Sequence, residues 1–567
     1  METTKQRPHI LWGGLVGALF TPLLIAVFYI GERFADLPFL PLHFFDWVAR
    51  NLPGGLITFG IDTMVDLLIT VGFGSDLDTA AKTAEQLMGL GLFFGLSVVV
   101  AAIFFFILNQ VDYNKDSFIP GITLGLFFGI PLLLMAIPLS FASSAPEWMK
   151  NLWSGLLFVG FGTAIGWAYN QMAFSSIFVK PKTGEANVQG INRREFIVRV
   201  GGASATLTVV GAGLGALLGS GSDTNELSTG DTEVLSPPVG EGELPNANAS
   251  VQPAPGTRAE LTPVSDHYRI DILSGGLPSI PDDYVLPVTG LVASQFEWTL
   301  DDIKDMPSQS EYITMSCISN RIAGSLISTT KWTGVSFKEI IDRVQPTEEA
   351  SAVRIMGYDD FDEYVDLELL RNDERIMIAY HFNDEPLPLR NGFPLRIHIP
   401  NRYGMKQPKW IRSIEFVSEW EPGYWVRRGW SEQAIVNQTS VIDTVATDNV
   451  FTNDAGETVV PVGGIAWAGD REIVNVEVRV DGGEWQAAQI REALSGRAWA
   501  LWRYDWVFTE GNHTFEVRSY EAPAEGQSDP VLQSTTRRGT RPDGATGIHS
   551  VDATIETPEL DSAGIDG

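Results

Sequence analysis

The chain has 567 residues with 39 basic and 70 acidic side chains, so its formal net charge is −31. This length is too great for one hydrophobic core and predicts three or four units. The acidic balance argues against a protein that binds nucleic acid, which needs basic patches, and fits a well-solvated domain or a salty environment. The single cysteine, Cys317, excludes an internal disulfide.

Hydrophobicity divides the chain near residue 220, with an apolar first part rich in Gly, Phe and Leu and a polar, acidic, Trp-rich second part. A helix needs about 20 apolar residues to span a bilayer. A weaker run at 52–74 carries Asp62 and Asp66, and because carboxylates are costly inside a membrane we expect an interfacial or re-entrant helix there. Four stronger runs predict transmembrane helices: 9–30, 87–108, 118–141 and 152–174.

Arg193 and Arg194 open the segment "INRREFIVRVGGASATLTVVGAGLGALLGSG". This segment resembles a twin-arginine export signal in mid-chain, and the alternative is an ordinary basic flank before a transmembrane helix. The Gly/Ala-rich run 201–221 favours the signal, which must start in the cytoplasm, where four preceding spans would leave it. We therefore predict a multi-pass protein of the cell membrane, whose residues after 221 lie on the extracytoplasmic side.

The segments follow one another in a predicted order. A membrane domain with four transmembrane helices (1–192) precedes the signal-like helix (193–221), and a Ser/Pro/Gly-rich disordered linker (222–262) follows. Alternating strand and helix patterns predict an α+β domain at 263–428. Short alternating strands such as "VNVEVRVDGG" predict an all-β, immunoglobulin-like sandwich at 429–540, before a disordered tail at 541–567.

Cys317 is the residue with the most distinctive surroundings. A lone cysteine is commonly a small buried hydrophobe. Cys317, however, follows a β-like run and precedes Asn320 and Arg321, and a neighbouring cation favours the thiolate. Such a thiolate acts as a nucleophile or as a soft metal ligand, and the Cys/His set of a zinc site is absent from the sequence.

Several ordered motifs resemble the sulfite oxidase family of molybdopterin enzymes over about 260–540. The segment "CISNR" followed by "KWTGVSF" resembles the family's Cys-x-x-Asn-Arg and Trp-x-Gly motifs. The block "HFNDEPLPLRNGFPLRIHIPNRYGMKQPKW" resembles its most recognisable region. The segments "YWVRRGWSE", "GGIAWAGDREIVNVEVRVDGGEWQ" and "WALWRYDW" resemble the passage into its immunoglobulin-like dimerisation domain.

The resemblance implies Mo-molybdopterin as cofactor, with Cys317 as the protein ligand of the metal and Arg396 as a contact to the cofactor's phosphate. A planar guanidinium suits that contact because it pairs with phosphate in a bidentate manner. A twin-arginine signal exports domains that have already folded. This route agrees with a cofactor that is inserted into the domain in the cytoplasm. The further cofactor contacts that the resemblance implies are Tyr268, Arg269, Asp362, Asn391, Gln407, Pro408 and Lys409.

Two departures from the family pattern leave the substrate open. Ile270 falls where sulfite oxidases carry an arginine, with Arg269 beside it, and Trp430 falls at the position of a tyrosine. Together with Cys317, Arg269 and Trp430 are the predicted catalytic residues. The expected substrate is a small oxyanion or an S- or N-oxide, with oxygen-atom transfer as the reaction.

The membrane half offers only His9 and His43 as haem ligands, so we expect no haem there. Electrons should therefore pass to a separate electron-transfer protein or a quinone, and a homodimer is compatible with the resemblance. The alternative is a non-catalytic, membrane-anchored interaction module that retains the fold.

Overall fold

The computed structural model describes residues 7–52, 60, 63–64, 77–113, 117–136, 145–174, 202, 244–273, 276–523 and 526–556. The described chain forms two compact units, one built around the N-terminal helices and the other around the strands from residue 285 on. The signal-like segment 193–221, apart from Gly202, and most of the run 52–74 lie outside the described residues, so both remain predictions.

Four helices of the first unit coincide with the strong apolar runs of the sequence, whereas the helix Leu40–Asn51 was not predicted. Three segments are long and apolar enough to cross a membrane: Ile10–Ala35, Thr83–Gln110 and Glu147–Phe174. The run predicted at 118–141 contains a shorter apolar helix, Ile119–Met135, so the described residues give three spans where the sequence predicts four. The helices are α1 (Ile10–Ala35), α2 (Leu40–Asn51), α3 (Leu77–Gln110), α4 (Ile119–Ala136) and α5 (Glu147–Phe174).

Glycines allow the helices of this unit to approach closely. A Cβ atom on Gly162 of α5 would lie 2.4 Å from the backbone nitrogen of Gly125 on α4, and one on Gly125 would lie 2.4 Å from the carbonyl oxygen of Phe158. Small residues at helix contacts are the usual means of association between apolar helices, since burial from lipid supplies no hydrophobic driving force. A glycine stripe therefore sets the distance between α4 and α5.

The second unit begins with an α+β part that contains two sheets. The first has the strand order β2-β1-β10-β5-β6, and the second has the order β3-β4-β7-β8 with β9 also paired to β7. The strands are β1 (Val285–Gly290), β2 (Phe296–Thr299), β3 (Ser308–Ser316), β4 (Ile327–Ser336), β5 (Ala352–Gly357), β6 (Asp362–Asp366), β7 (Met377–Phe382), β8 (Glu385–Pro386), β9 (Arg396–His398) and β10 (Ile411–Val417).

Helices pack on these sheets around one hydrophobic core. Apolar residues of α7 alternate with polar ones at helical spacing, and Ile340 and Ile341 meet Ile355 of β5 and Ile378 of β7 in that core. The core therefore joins both sheets of the α+β part. The described helices here are α6 (Leu300–Lys304), α7 (Phe337–Val344) and α8 (Leu367–Asn372).

The C-terminal part contains strands without α-helices in its described residues, as the alternating pattern predicts. Its two antiparallel sheets, β11-β13-β17-β16 with β12, and β15-β14-β18-β19 with β20, share a core that includes Val462, Trp502, Val476 and Phe515. The strands are β11 (Thr439–Val445), β12 (Phe451–Thr452), β13 (Thr458–Trp467), β14 (Ile473–Val480), β15 (Gln486–Ala487), β16 (Gln489–Ile490), β17 (Ala500–Val507), β18 (Gly511–Glu521), β19 (Val531–Leu532) and β20 (His549–Ile555).

Two segments predicted as disordered are ordered in part. In the predicted linker, residues 244–262 are described, and the buried Glu260 carboxylate accepts hydrogen bonds from Arg491 Nε (2.9 Å) and Asn246 Nδ2 (2.5 Å). In the predicted tail, β20 pairs with β18 over seven residues. The prediction was wrong for these residues because polar composition hides the buried ion pair and the strand register that hold them.

Candidate active site

Cys317 lies directly after β3, at the start of a tight loop that returns to β4. Its backbone N–H donates to the carbonyl of Leu326 (3.0 Å), and the Asn320 side chain accepts from the backbone N–H of Leu326 (3.1 Å). These bonds hold the loop closed beneath the thiol. The Cys317 side chain is buried, with its Sγ 3.0 Å from Ser319 Oγ, and the predicted neighbour Arg321 is exposed.

Arg396 is a buried cation at the start of β9. Its Nη1 donates to the carbonyl of Asn391 (2.8 Å), its Nη2 contacts Met315 Sδ (3.2 Å), and its guanidinium lies 4.7 Å from the Trp332 ring. The Nε atom has no hydrogen-bond partner, and burial lowers the pKa of Arg396 to about 10. No carboxylate among the described residues forms a salt bridge with it. A charge buried in this way is costly unless an anion joins it.

Lys409 lies beside Arg396, with Gly392 between them. A Cβ atom on Gly392 would lie 3.2 Å from the Cβ atoms of both cations. Lys409 Nζ donates to the carbonyl of Ile270 (3.1 Å) and lies 3.5 Å from Asp271 Oδ2. Burial lowers the pKa of Lys409 to about 8, against the opposing effect of Asp271. Two cations therefore converge beside a residue that carries no side chain.

The segment 267–271 brings further groups to this place. Tyr268 belongs to the same apolar cluster as Cys317, and the ring of the buried His267 stacks on it with centroids 5.4 Å apart. Arg269 Nε donates to Asp271 Oδ2 (2.6 Å), whereas Ile270 packs against the cluster that contains Cys317. The apolar residue, rather than the arginine, therefore faces the neighbourhood of the thiol.

Comparison with known proteins agrees with this arrangement. Residues 274–425 match the model of the family described as "Oxidoreductase molybdopterin binding domain". The mitochondrial sulfite oxidase of Homo sapiens is 28% identical over 264 residues, which cover 39% of this chain and 48% of that protein. This part of the chain is therefore similar to the molybdopterin-binding domain of sulfite oxidases.

Two further similarities were found. A putative protein-methionine-sulfoxide reductase subunit, YedZ1, of Azospira oryzae is 27% identical over 146 residues, which cover 26% of this chain and 53% of that protein. The crystal structure of the sulfane dehydrogenase SoxCD from Paracoccus pantotrophus aligns with a TM-score of 0.45 and 17% identity, over 54% of this chain and 89% of that chain. The chain spans about half the length of the curated relatives it matches.

The residues of this sulfite oxidase-like domain fit the Mo-molybdopterin that the family implies. Arg396 and Lys409 offer positive charge to a phosphate, and Arg396 Nε and Asn391 Oδ1 are buried without hydrogen-bond partners. Buried polar atoms in native proteins are nearly always paired, so these atoms indicate a polar ligand. Cys317 offers a soft ligand to a metal in the same part of the domain.

The structure brings most of the predicted cofactor contacts together. Tyr268 and Cys317 share one cluster, and Arg269 joins Lys409 through Asp271. Gln407 is buried, its Oε1 lies 3.0 Å from His398 Nδ1, and its amide donates to the carbonyl of Arg402 (2.7 Å). The carbonyl of Pro408 accepts from the backbone N–H of Ile397, which fixes this segment against β9.

Asp362 and Trp430 have other contacts. Asp362 forms a salt bridge with Arg427, so its carboxylate is engaged with the segment after β10. Trp430 packs against a second apolar cluster, which contains Ile318 and Tyr403, and its indole Nε1 is buried without a hydrogen-bond partner. The same cluster contains Ile318, the residue that follows Cys317.

Sequence reasoning missed two histidines. His267 and His398 are buried, and in each the Nδ1 atom contacts an oxygen while the Nε2 atom has no partner. Burial lowers the pKa of each to about 3, so both are neutral at physiological pH. Because Nδ1 donates to that oxygen in the neutral ring, each Nε2 is an acceptor. Two sequence signals could have indicated them: His267 directly precedes Tyr268, and His398 lies within "RIHIP".

Proposed function

We propose that the chain is a membrane-anchored oxidoreductase that transfers an oxygen atom to or from a small S- or N-oxo substrate, with Cys317 as the ligand of molybdenum. The observation that carries this proposal is the pair of cations on either side of Gly392, the buried Arg396 and the largely buried Lys409, whose side chain is 12% exposed. When bound, Mo-molybdopterin supplies the two-electron and oxygen-atom chemistry, and the protein supplies binding and orientation.

Each residue of the site has a distinct task in this proposal. Arg396 and Lys409 bind the phosphate, and the missing side chain of Gly392 lets the two cations lie close together. His267 and Asn391 offer unpaired acceptors to N–H groups of the pterin. Cys317, held by the closed loop at the end of β3, presents its sulfur in one orientation. Apolar neighbours exclude water from this sulfur, which strengthens every charge interaction nearby.

Two residues support a substrate other than sulfite. Ile270 packs on the cluster of Cys317, and Arg269 is engaged by Asp271, so the arginine that the family uses there is replaced by an apolar group. Trp430 adds an indole where a tyrosine would offer a hydroxyl. A doubly charged anion would find fewer donors in such a site, which favours a neutral sulfoxide or N-oxide.

The position in the cell and the partners are part of the same proposal. The three apolar helices would anchor the chain in the cell membrane as a multi-pass protein. The domains after residue 221 would lie on the extracytoplasmic side. Electrons would pass to or from a separate protein or a quinone. The two C-terminal sheets would form an immunoglobulin-like sandwich that is available for a homodimer.

Metal analysis of the purified chain tests the cofactor assignment. We expect one molybdenum per chain in the wild type and a large loss in Arg396→Met, because the phosphate loses its buried cation. Arg412→Met is the matched control, since Arg412 forms a surface pair with Asp360 (2.9 Å). A folded chain without molybdenum would instead support the alternative, a non-catalytic interaction module.

Sulfite turnover tests the substrate assignment. We expect slow sulfite oxidation by the molybdenum-loaded wild type and faster oxidation after Ile270→Arg combined with Trp430→Tyr. The gain should appear mainly in KM, because the substitutions rebuild ground-state binding of the anion. Efficient sulfite oxidation by the unmodified chain would contradict the proposed substrate class.

A further inference from the structure

The strand that carries Cys317 lies at the edge of its sheet. β3 is the first strand in the order β3-β4-β7-β8, so one side of β3 has no strand partner in that sheet. An uncovered edge leaves backbone groups without partners and allows the strand to shift. Since Cys317 follows the last residue of β3 directly, any shift of this strand moves the thiol.

A loop of the C-terminal part, Leu494–Trp499, covers this edge. The backbone N–H of Thr314 donates to the carbonyl of Arg497 (3.0 Å), and the backbone N–H of Trp499 donates to Thr314 Oγ1 (2.8 Å). Ser495 Oγ donates to the carbonyl of Tyr312. The loop thus satisfies backbone and side-chain groups of β3 at alternate residues, as an added strand would.

Side chains of the same loop strengthen the contact. Arg497 is buried, and its Nη2 lies 2.9 Å from Glu311 Oε2 on β3. Trp499 is also buried, belongs to the same apolar cluster as Ile318, and donates from its indole N–H to the carbonyl of Glu260 (3.0 Å). The contact therefore runs along β3 from Glu311 to Thr314, and Trp499 shares an apolar cluster with Ile318, the residue that follows Cys317.

We propose that the loop Leu494–Trp499 positions the Cys317 thiol, with Arg497 and Ser495 as positioning residues. The purpose of this positioning rests on the proposed function, since a metal ligand must be held in one place. The structural basis of the inference does not depend on that function. The C-terminal part then contributes to the active site by fixing the strand that presents the ligand. A metal ligand held in this way loses less conformational freedom when it binds.

The single cysteine makes the inference testable without turnover, because alkylation of the native chain reports on Cys317 alone. We would measure the rate of iodoacetamide modification in the full chain purified without cofactor. Arg497→Gln and Ser495→Ala should each accelerate modification by roughly tenfold, since each removes a hydrogen bond that holds the edge closed. Arg497→Lys keeps the charge opposite Glu311 and should restore most of the wild-type rate.

Arg503→Gln is the matched control, because Arg503 lies on β17 of the same part and pairs with Asp505 (2.7 Å) instead of β3. Its modification rate should equal that of the wild type. Equal rates in wild type, Arg497→Gln and Ser495→Ala would overturn the inference. Acceleration by Arg503→Gln to the same extent would also overturn it, since the effect would then be general loosening.

The loaded enzyme provides a second readout. In Ser495→Ala, the milder variant, we expect a several-fold lower kcat at unchanged KM and an altered Mo(V) EPR spectrum, because the ligand moves while the substrate site stays. An unchanged spectrum together with an unchanged kcat would contradict positioning. A chain that shows no turnover at all would contradict the proposed function, yet the alkylation rates would still decide the inference.

Discussion

At the scale of single residues, the site combines one thiol with an excess of buried positive charge. Cys317 is buried among apolar groups, Arg396 forms no salt bridge with any carboxylate of the described residues, and Lys409 lies 3.5 Å from Asp271 Oδ2. Such an arrangement costs free energy in the absence of a ligand. The cost is understandable if these residues serve binding, because functional sites commonly sacrifice stability.

Cys317→Ser tests the role of the thiol. The hydroxyl is harder and far less acidic than the thiol, so it is a poor ligand for molybdenum. We expect turnover to fall by at least about a hundredfold, while the phosphate cradle of Arg396 and Lys409 still retains part of the pterin. Parallel assays of turnover and pterin fluorescence measure the two effects. Wild-type turnover in this variant would exclude Cys317 as the ligand.

Lys409 predicts a pH dependence of anion binding. Its pKa is lowered to about 8, so Lys409 is charged below this pH and loses its proton above it. In the cofactor-free chain, the affinity for inorganic phosphate should fall above pH 8 by up to about tenfold per pH unit relative to Lys409→Met, because the titration of phosphate itself affects both chains alike. Titration calorimetry at pH 7 and pH 9 measures the change. Lys409→Met should bind phosphate weakly at both pH values, and an equal pH dependence in that variant would assign the proton elsewhere.

At the scale of secondary-structure elements, close contacts of backbone with backbone recur in the first unit. Gly121, Gly125 and Gly162 place α4 and α5 so near each other that no side chain fits between them. α4 is short for a spanning helix, because its apolar stretch Ile119–Met135 is below the length of roughly 20 residues that a span needs. Its place in the unit therefore depends on packing against α5 more than on its length.

Gly162→Leu and Gly160→Leu separate packing from helix propensity. Both residues lie on α5, but a Cβ atom at Gly162 meets α4 at 2.4 Å, whereas a Cβ atom at Gly160 meets no atom within 4 Å. We expect Gly162→Leu to lower the free energy of unfolding by about 1–3 kcal/mol or more, and Gly160→Leu to leave it nearly unchanged. Thermal unfolding in detergent measures both. A similar loss in the two variants would show that the glycine stripe does not set the packing.

At the scale of the whole molecule, an acidic soluble half follows an apolar helical half. The charge of −31 lies mostly after residue 220, which suits a domain that stays in solution beside a membrane. The proposed orientation depends on Arg193 and Arg194, which are outside the described residues, and it stays a prediction.

Replacing Arg193 and Arg194 with lysine tests the orientation. We expect the preceding helices to insert as before, whereas the C-terminal half should remain in the cytoplasm because the paired arginines are read by the export machinery. Protease added to intact cells should then fail to cleave within 222–243 in the variant and should cleave the wild type. Cleavage in both proteins would show that the segment is an ordinary basic flank.

Features of the protein that depend on a local sequence pattern could be predicted without the structure. Apolar runs predicted four helices of the first unit but not α2, and alternating residues predicted strands of the second unit. Ordered motifs around Cys317 and Arg396 predicted the similarity to sulfite oxidases and the cofactor. These features are readable because periodicity and motif spacing are properties of contiguous residues.

Contacts between residues that are distant in the chain could be identified only from the tertiary structure. Glu260 pairs with Arg491, which is more than 200 positions away, and this pair orders a segment predicted as linker. Arg497 binds the edge of β3, the strand that ends directly before Cys317. His267 likewise meets the ring of Phe382 on β7, with centroids 5.0 Å apart. Such contacts depend on strand order and register, and a polar residue has the same local appearance whether it faces solvent or a buried partner.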